Sequence, residues 1–341
     1  ERLRALCVAR GLDGLAESLG ELMSLAGSDL EAIELELGFD SPGERLAERA
    51  AAYLVRQGGK RLRPLCVALA ARAGDGFDRS ALDLAVAVEL VHNATLLHDD
   101  VIDLADTRRG VATARAEFGN AASIFGGDWL LIEALQRVRR AAVPGTLETL
   151  LDTISEMIRA ESLQLENRGQ IDLDRNLYFD IVEGKSATLF RWAMAAGGRA
   201  GGLGPDECVA LEDYGGHLGV AFQVIDDLLD LTGGNGRTGK APFTDLREGK
   251  MTYPVLVALE RDAGLRPILE EIMGVGPLGS PSPALLEDVR EGGARTGAMA
   301  ECRSLAAERV SSASSALTRL PESEARAALR LVAESTVNRQ L

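Results

Sequence analysis

Cysteine and histidine are scarce in this chain and nowhere grouped. Cys7, Cys66, Cys208 and Cys302 are scattered with no C-x-x-C pair. This spacing argues against a disulfide framework or a zinc site and suits lone thiols in a reducing cytoplasm. His92, His98 and His217 show no metal-ligand spacing. Aromatic residues make up only 4% of the chain, and no alternating strand pattern or Asn-Gly hairpin signal stands out. Positive charge is in deficit: the formal net charge is −15, which speaks against non-specific nucleic-acid binding. No apolar run reads as long enough to span a bilayer, and the N-terminal ERLRALCVARGLDG lacks a signal-peptide core. These absences predict a cytoplasmic protein that is not embedded in a membrane, although a greasy product could be delivered to one.

What the chain does contain is helix-forming sequence. Ala, Leu, Glu and Arg dominate, and apolar positions recur at helical spacing almost throughout. Breaks fall at Gly58-Gly59, Gly74 to Gly76, Pro144-Gly145, Gly197 to Pro205, Gly233 to Gly239 and Gly274 to Pro283. Two segments, 81–103 and 217–231, are apolar on most faces, as helices in the middle of a bundle are. The predicted fold is all-α, a helix bundle. It is read as one domain over 1–341: peripheral helices to about 50, a core from about 51 to 260, and C-terminal helices beyond.

Both apolar segments end in acid. The first closes on Asp99-Asp100-Val-Ile-Asp103, the second on Asp226-Asp227-Leu-Leu-Asp230. Each is D-D-x-x-D, and residues four apart share a helix face, so Asp99 stacks beside Asp103 and Asp226 beside Asp230. Helix C-termini favour cations, so helix stability does not account for these carboxylates. One copy in so acidic a chain reads as a solvated helix end. Two copies, each closing an apolar helix, read as a site for hard divalent cations such as Mg²⁺, which combine one or two carboxylates with substrate phosphates.

Basic residues answer them. GGKRLRP (58–64) sets Lys60, Arg61 and Arg63 beside glycines that let an anion come close. Arg108 and Arg109 follow the first cluster; the bland alternative is surface pairing with Asp103 and Asp106. Lys185 lies in EGKSATLF with Ser186 and Thr188, and 233–250 carries Arg237, Lys240, Arg247 and Lys250. Within that loop GNGRTGK matches G-x-x-x-x-G-K, but Ala241 follows where a P-loop needs Ser or Thr, and a helix precedes it instead of a strand. A cationic lid over phosphates is the better reading. Metal held by Asp and side chains of Lys and Arg thus converge on a polyanion, most simply a diphosphate.

GGKRLRP, LLHDDVIDLADTRRG, GKSATLF, FQVIDDLLD and DLREGK occur in that order. Together they resemble the signature set of the trans-isoprenyl diphosphate synthases, or polyprenyl synthetases. The resemblance runs from Tyr53 to Leu259 and is nearest to long-chain members such as octaprenyl diphosphate synthases. It implies a bundle of antiparallel helices around a deep central cavity, usually in a homodimer. It also implies Mg²⁺-dependent, repeated head-to-tail joining of isopentenyl diphosphate to an allylic diphosphate, with Mn²⁺ able to substitute. Carried over by resemblance, Asp99, Asp103 and Asp226 ligate Mg²⁺, while Asp100, Asp227 and Asp230 complete or support the cluster. Arg108, Lys185, Ser186, Gln223, Lys240 and Lys250 serve the allylic diphosphate. Gly59, Lys60, Arg63, His92, Arg109 and Phe222 serve isopentenyl diphosphate. Two departures stand out: Ser186 replaces a common Thr, and His92 replaces a Gln frequent in shorter-chain members.

Product length has its own logic. Ala94 and Thr95 lie one turn before Asp99, about 6 Å down the axis. Small side chains there let a product grow past, and Leu131, Leu135 and Met157 are candidates for the floor. The alternative is a shorter farnesyl or geranylgeranyl product. A class I terpene synthase would carry a different second motif and has no need of GGKRLRP. A non-catalytic subunit of a heteromeric synthase would be expected to lose one cluster, and both are present here.

Overall fold

The computed structural model describes residues 13–38, 45–108, 110–233, 243–276, 279 and 281–337. Sixteen α-helices follow one another among these residues. They are α1 (Asp13–Leu37), α2 (Leu46–Arg56), α3 (Leu62–Arg72), α4 (Arg79–Ile102), α5 (Ala114–Phe118), α6 (Asn120–Ala141), α7 (Thr146–Glu166) and α8 (Arg175–Val182). Then come α9 (Thr188–Ala200), α10 (Pro205–Thr232), α11 (Thr244–Arg247), α12 (Tyr253–Arg261), α13 (Arg266–Val275), α14 (Pro283–Arg295), α15 (Ala298–Ala316) and α16 (Glu324–Val337). One π-helical turn, Glu183–Ala187, joins α8 to α9. The expected all-α bundle is present. The sequence reading missed a two-residue antiparallel hairpin, in which Thr107 pairs with Ala112 and Arg108 with Val111.

The two helices singled out from the sequence are longer than read, and both are central. α4 begins at Arg79 because Asp78 caps it, accepting from the Ala81 N–H (2.8 Å). α10 begins at Pro205, a residue suited to a first helical turn, and runs 28 residues. The reading that no segment could span a bilayer needs correcting. By length and composition α4 is long and apolar enough, but most of its apolar window is buried inside the bundle. Its apolarity is that of a core helix, covered by α3, α6 and α9.

Two apolar clusters fill the interior. The larger joins α1 to α4, α6, α9 and the last helices around Leu84, Leu97, Phe190 and Tyr214. The smaller gathers Tyr178, Val224, Leu228, Leu246, Tyr253 and Leu256 on the other side of α10. α10 contributes to both, so its acidic end is fixed between two packed bodies. The break expected at Gly197 does not occur there; α9 runs on to Ala200.

Candidate active site

The first acidic cluster closes α4, with Asp99 and Asp100 in the last turn and Asp103 as the C-cap. α4 is pinned to α6 near this end: Ser123 donates to the Leu97 carbonyl (2.8 Å). Asp100 is fully buried. Its Oδ1 accepts from Arg108 Nε (3.0 Å) and Nη2 (2.8 Å), while its buried Oδ2 has no hydrogen-bond partner among the described residues. Burial outweighs the guanidinium and raises its pKa. Asp99 has a pKa raised to about 6 by burial, partly offset by Lys185 and reinforced by Glu161 and Asp103. Asp103 is the most heavily paired. Lys250 Nζ donates to Oδ2 (2.9 Å) and Arg168 to Oδ1. Burial opposes ionisation of Asp103, but Lys250 and Arg168 prevail and lower its pKa.

The second cluster is held differently. Asp227 is buried and accepts from Tyr178 OH (2.8 Å), Gln223 Nε2 (2.8 Å) and the Tyr253 N–H (3.3 Å). Three donors favour the ionised form, but burial, with Asp245 adding to it, raises its pKa to about 7. Asp230 caps α11, accepting from the N–H groups of Thr244 (3.1 Å) and Asp245 (3.2 Å). Asp226 and Asp230 are each half-buried at the end of α10.

The clusters meet through two connections. The segment 243–250 begins on Asp230 and ends with Lys250 on Asp103, so eight residues reach from one acidic helix end to the other. The second is the π-helical turn. Lys185 Nζ pairs with Glu161 and donates to Gln164 Oε1 (2.9 Å) on α7, while its charge acts on Asp99. Ser186 donates to Gln223 Oε1 (2.7 Å), which fixes the amide whose nitrogen holds Asp227. Glycines let this turn wedge in. A Cβ on Gly184 would lie 2.7 Å from the Ala160 Cβ, and one on Gly219 would lie 2.5 Å from the Ala187 Cα. π-turns of this kind re-aim side chains within an otherwise regular helix.

GGKRLRP divides in two. Arg61, in the left-handed region at φ 47°, turns inward to Glu89 (2.7 Å) and Glu34 (2.6 Å) and serves the fold. Gly59 and Lys60 are exposed, and Arg63 lies 4.5 Å over the Phe190 ring, which itself packs on Phe222 (5.7 Å between centroids). Arg63 is thereby brought beside the second acidic helix, and His92 is half-buried on α4. Arg109 and Lys240 lie outside the described residues. Of the product-length candidates, Ala94 is buried. Thr95 is half-buried and donates to the His92 carbonyl (2.8 Å). Leu131, Leu135 and Met157 pack partly buried against the larger core.

Four residues at this site went unread in the sequence: Glu161, Gln164, Arg168 and Tyr178. The first three stand in AESLQLENRG, where polar residues at the end of an amphipathic helix look like any solvated face. A polar-rich end on a helix neighbouring the D-D-x-x-D helix was the one available signal. Tyr178 offered none beyond being one of four tyrosines.

Among the described residues, no three His, Cys, Asp or Glu side chains converge into a complete metal shell. What stands ready instead is a pair of acidic helix ends, with a buried Asp100 oxygen unpartnered among the described residues and an Asp99 held toward its neutral form. A cation would relieve both, so the donor set fits a hard divalent ion completed by ligand oxygens.

An α-helical bundle whose two acidic helix ends are tied together by 243–250, with Arg108, Arg168 and Lys250 on the first of them, defines a class of protein suited to hold cationic and anionic groups together. Comparison with known proteins narrows this. Residues 44–280 match the family model described as Polyprenyl synthetase, and the chain belongs to that family. It is 38% identical over 292 residues to the octaprenyl diphosphate synthase of Escherichia coli (strain K12), covering 84% of this chain and 88% of that one. It is 36% identical over 262 residues to the geranylgeranyl diphosphate synthase of Methanosarcina mazei, covering 75% and 76%. The crystal structure of a polyprenyl synthase from Caulobacter crescentus CB15, complexed with calcium and isoprenyl diphosphate, superposes with a TM-score of 0.86 at 34% identity. That match covers 94% of this chain and 98% of the other.

Proposed function

We propose that this protein is a trans-prenyltransferase that condenses isopentenyl diphosphate with an allylic diphosphate, repeatedly, to a long-chain polyprenyl diphosphate. The observation that carries the reading is the bridge 243–250, which ties both acidic helix ends to one cationic rim. Family membership and the octaprenyl relative support it.

Asp99, Asp103 and Asp226 would hold Mg²⁺, which when bound neutralises the diphosphate leaving group as a Lewis acid. The remaining roles belong to the chain. Lys185 and Lys250, already lodged among carboxylates, draw an anionic substrate toward the cleft and stabilise charge as the allylic C–O bond ionises. Arg108, held on Asp100, presents its remaining donors to the same diphosphate. Gln223 is locked by Ser186 and Asp227, and its amide dipole would stabilise the developing allylic cation. Arg63 and the exposed Lys60 bind the second diphosphate, with Phe222 beneath the alkene. The alkene attacks the cation, and the departing diphosphate takes the proton, so no aspartate need act as a base. Asp100, Asp227 and Asp230 support this arrangement through Arg108, Gln223 and α11.

Relatives with C20 and longer names are similarly identical, so overall identity does not decide product length. The small Ala94 one turn below Asp99 favours a long product. A homodimer is supported by apolar side chains left exposed at seven-residue spacing: Phe125 and Ile132 on α6, and Leu151, Ile158 and Leu165 on α7.

The test is purified protein with Mg²⁺, labelled isopentenyl diphosphate and each common allylic starter, followed by product sizing. Long polyprenyl diphosphates are expected. Hydrocarbon released from an allylic diphosphate alone would replace this reading with a terpene cyclase. Ala94→Phe with Thr95→Phe should shorten the product, and an unchanged distribution would exclude a tunnel past α4.

A further inference from the structure

Asp103 is gripped by two cations that arrive on separate loops. Arg168 follows α7 and takes Oδ1; Lys250 follows α11 and takes Oδ2. Both oxygens of a proposed metal ligand are thus occupied by the protein's own side chains. The two loops are clasped together. The Gly169 N–H donates to the Gly249 carbonyl (2.8 Å), and Gly249 sits at φ +77°, where a Cβ would stand 2.8 Å from Gly169 N. Only glycine suits that backbone and that approach. Arg168 also reaches the Ile102 carbonyl (3.4 Å), so it spans the last turn of α4. Asp103 and Lys250 are largely sequestered, at 14% and 13% side-chain exposure, so solvent screens this pairing less than a surface bridge.

A divalent ion that uses Asp103 must displace at least one of these cations. A displaced guanidinium at this place would be available to an anion held beside the metal, and its planar fork suits diphosphate oxygens. We infer that Arg168 is a substrate-binding residue that exchanges partners. In the free protein it occupies Asp103 and opposes metal; once metal and diphosphate arrive together, it passes to the diphosphate. Metal alone is therefore resisted, and metal with diphosphate is accepted, because the anion gives the displaced cation a new partner. This inference rests on the prenyl-transfer reading for the identity of the anion.

The two halves predict opposite signs for one substitution. In Arg168→Gln, Mn²⁺ binding to the substrate-free protein, read by electron paramagnetic resonance or calorimetry, should tighten by about fivefold or more, within the usual range of site-to-site coupling. Binding of inorganic pyrophosphate at saturating Mn²⁺ should weaken by a similar factor. Arg168→Lys keeps the charge without the fork, so it should hold Mn²⁺ affinity near wild type and weaken pyrophosphate less than Arg168→Gln does. A residue that merely props the loop would move both affinities in the same direction. Mn²⁺ affinity that does not tighten, or pyrophosphate affinity that does not weaken, overturns the inference. If the wild-type protein itself makes no polyprenyl product, the prenyl-transfer reading fails separately, since these titrations need only metal and pyrophosphate.

Discussion

The two D-D-x-x-D helix ends look alike in sequence, but their buried members, Asp100 and Asp227, are held by different physics. At the end of α4, the carboxylates are met by full charges: Arg108 on Asp100, and Arg168 with Lys250 on Asp103. At the end of α10, the buried Asp227 is met by dipoles: a phenol, an amide and a backbone N–H group. Charges attached to long side chains can leave and return. Backbone and buried phenol donors cannot leave without opening the fold. The first end is therefore suited to exchanging partners during a reaction cycle, and the second to holding Gln223 and α11 in place.

The largest effect expected is one that ignores this difference. Asp99→Ala and Asp226→Ala should each lower kcat by at least about 10³-fold at saturating Mg²⁺, since each removes a group that positions leaving-group charge. Steady-state assays of both variants check this, and near wild-type turnover in both would refute the assignment of the clusters.

A sharper comparison sets Asp227→Ala against Asp100→Ala in thermal or urea unfolding. Asp227→Ala strands three donors in a buried setting and should cost about 2–4 kcal/mol. Asp100→Ala leaves Arg108, which is partly exposed, to find water, and it also removes an unpartnered buried oxygen. It should cost about 1 kcal/mol or less. Equal losses would mean the two ends are held in the same way after all.

A third comparison concerns pH. In the metal-free protein the pKa of Asp99 lies at about 6, above its ordinary value of 3.8. A carboxyl whose pKa rises on folding favours the fold below its unfolded pKa and loses that contribution as pH climbs through the folded value. Asp99→Asn keeps a neutral side chain at every pH. The metal-free variant should therefore gain stability over wild type between pH 4 and pH 7, by about 1–2 kcal/mol once partial solvent access is allowed for. Melting temperatures at pH 5 and 7.5 without divalent ions report this, and Mg²⁺ should shrink the difference by stabilising wild type alone. A pH-independent difference would show that Asp99 is ionised throughout.

Much of the site was readable because its residues keep local company. Asp99, Asp103, Asp226 and Asp230 announce themselves by four-residue spacing on apolar helices, and Lys185 and Ser186 by a short motif. The roles inside those motifs were harder to read. Arg61 and Arg63 are two residues apart in one basic stretch, yet Arg61 is spent on Glu89 and Glu34 while Arg63 lies on Phe190. The left-handed backbone at Arg61 makes that choice, and no pattern of residue types encodes it. Arg168 was invisible for a related reason: its partner Asp103 is 65 positions away, across three helices and their loops.

The order of residues alone settled the class of the fold, the two acidic helix ends and the basic stretches that answer them, because helical periodicity and four-residue spacing are local properties of a chain. Which carboxylate faces a cation and which a dipole, where the π-turn wedges between α7 and α10, and that Arg168 reaches Asp103 were decided only by packing. Those outcomes depend on close approach between segments far apart in sequence, such as Gly219 against Ala187 and Gly249 against Gly169, and such approaches exist only once the helices are assembled.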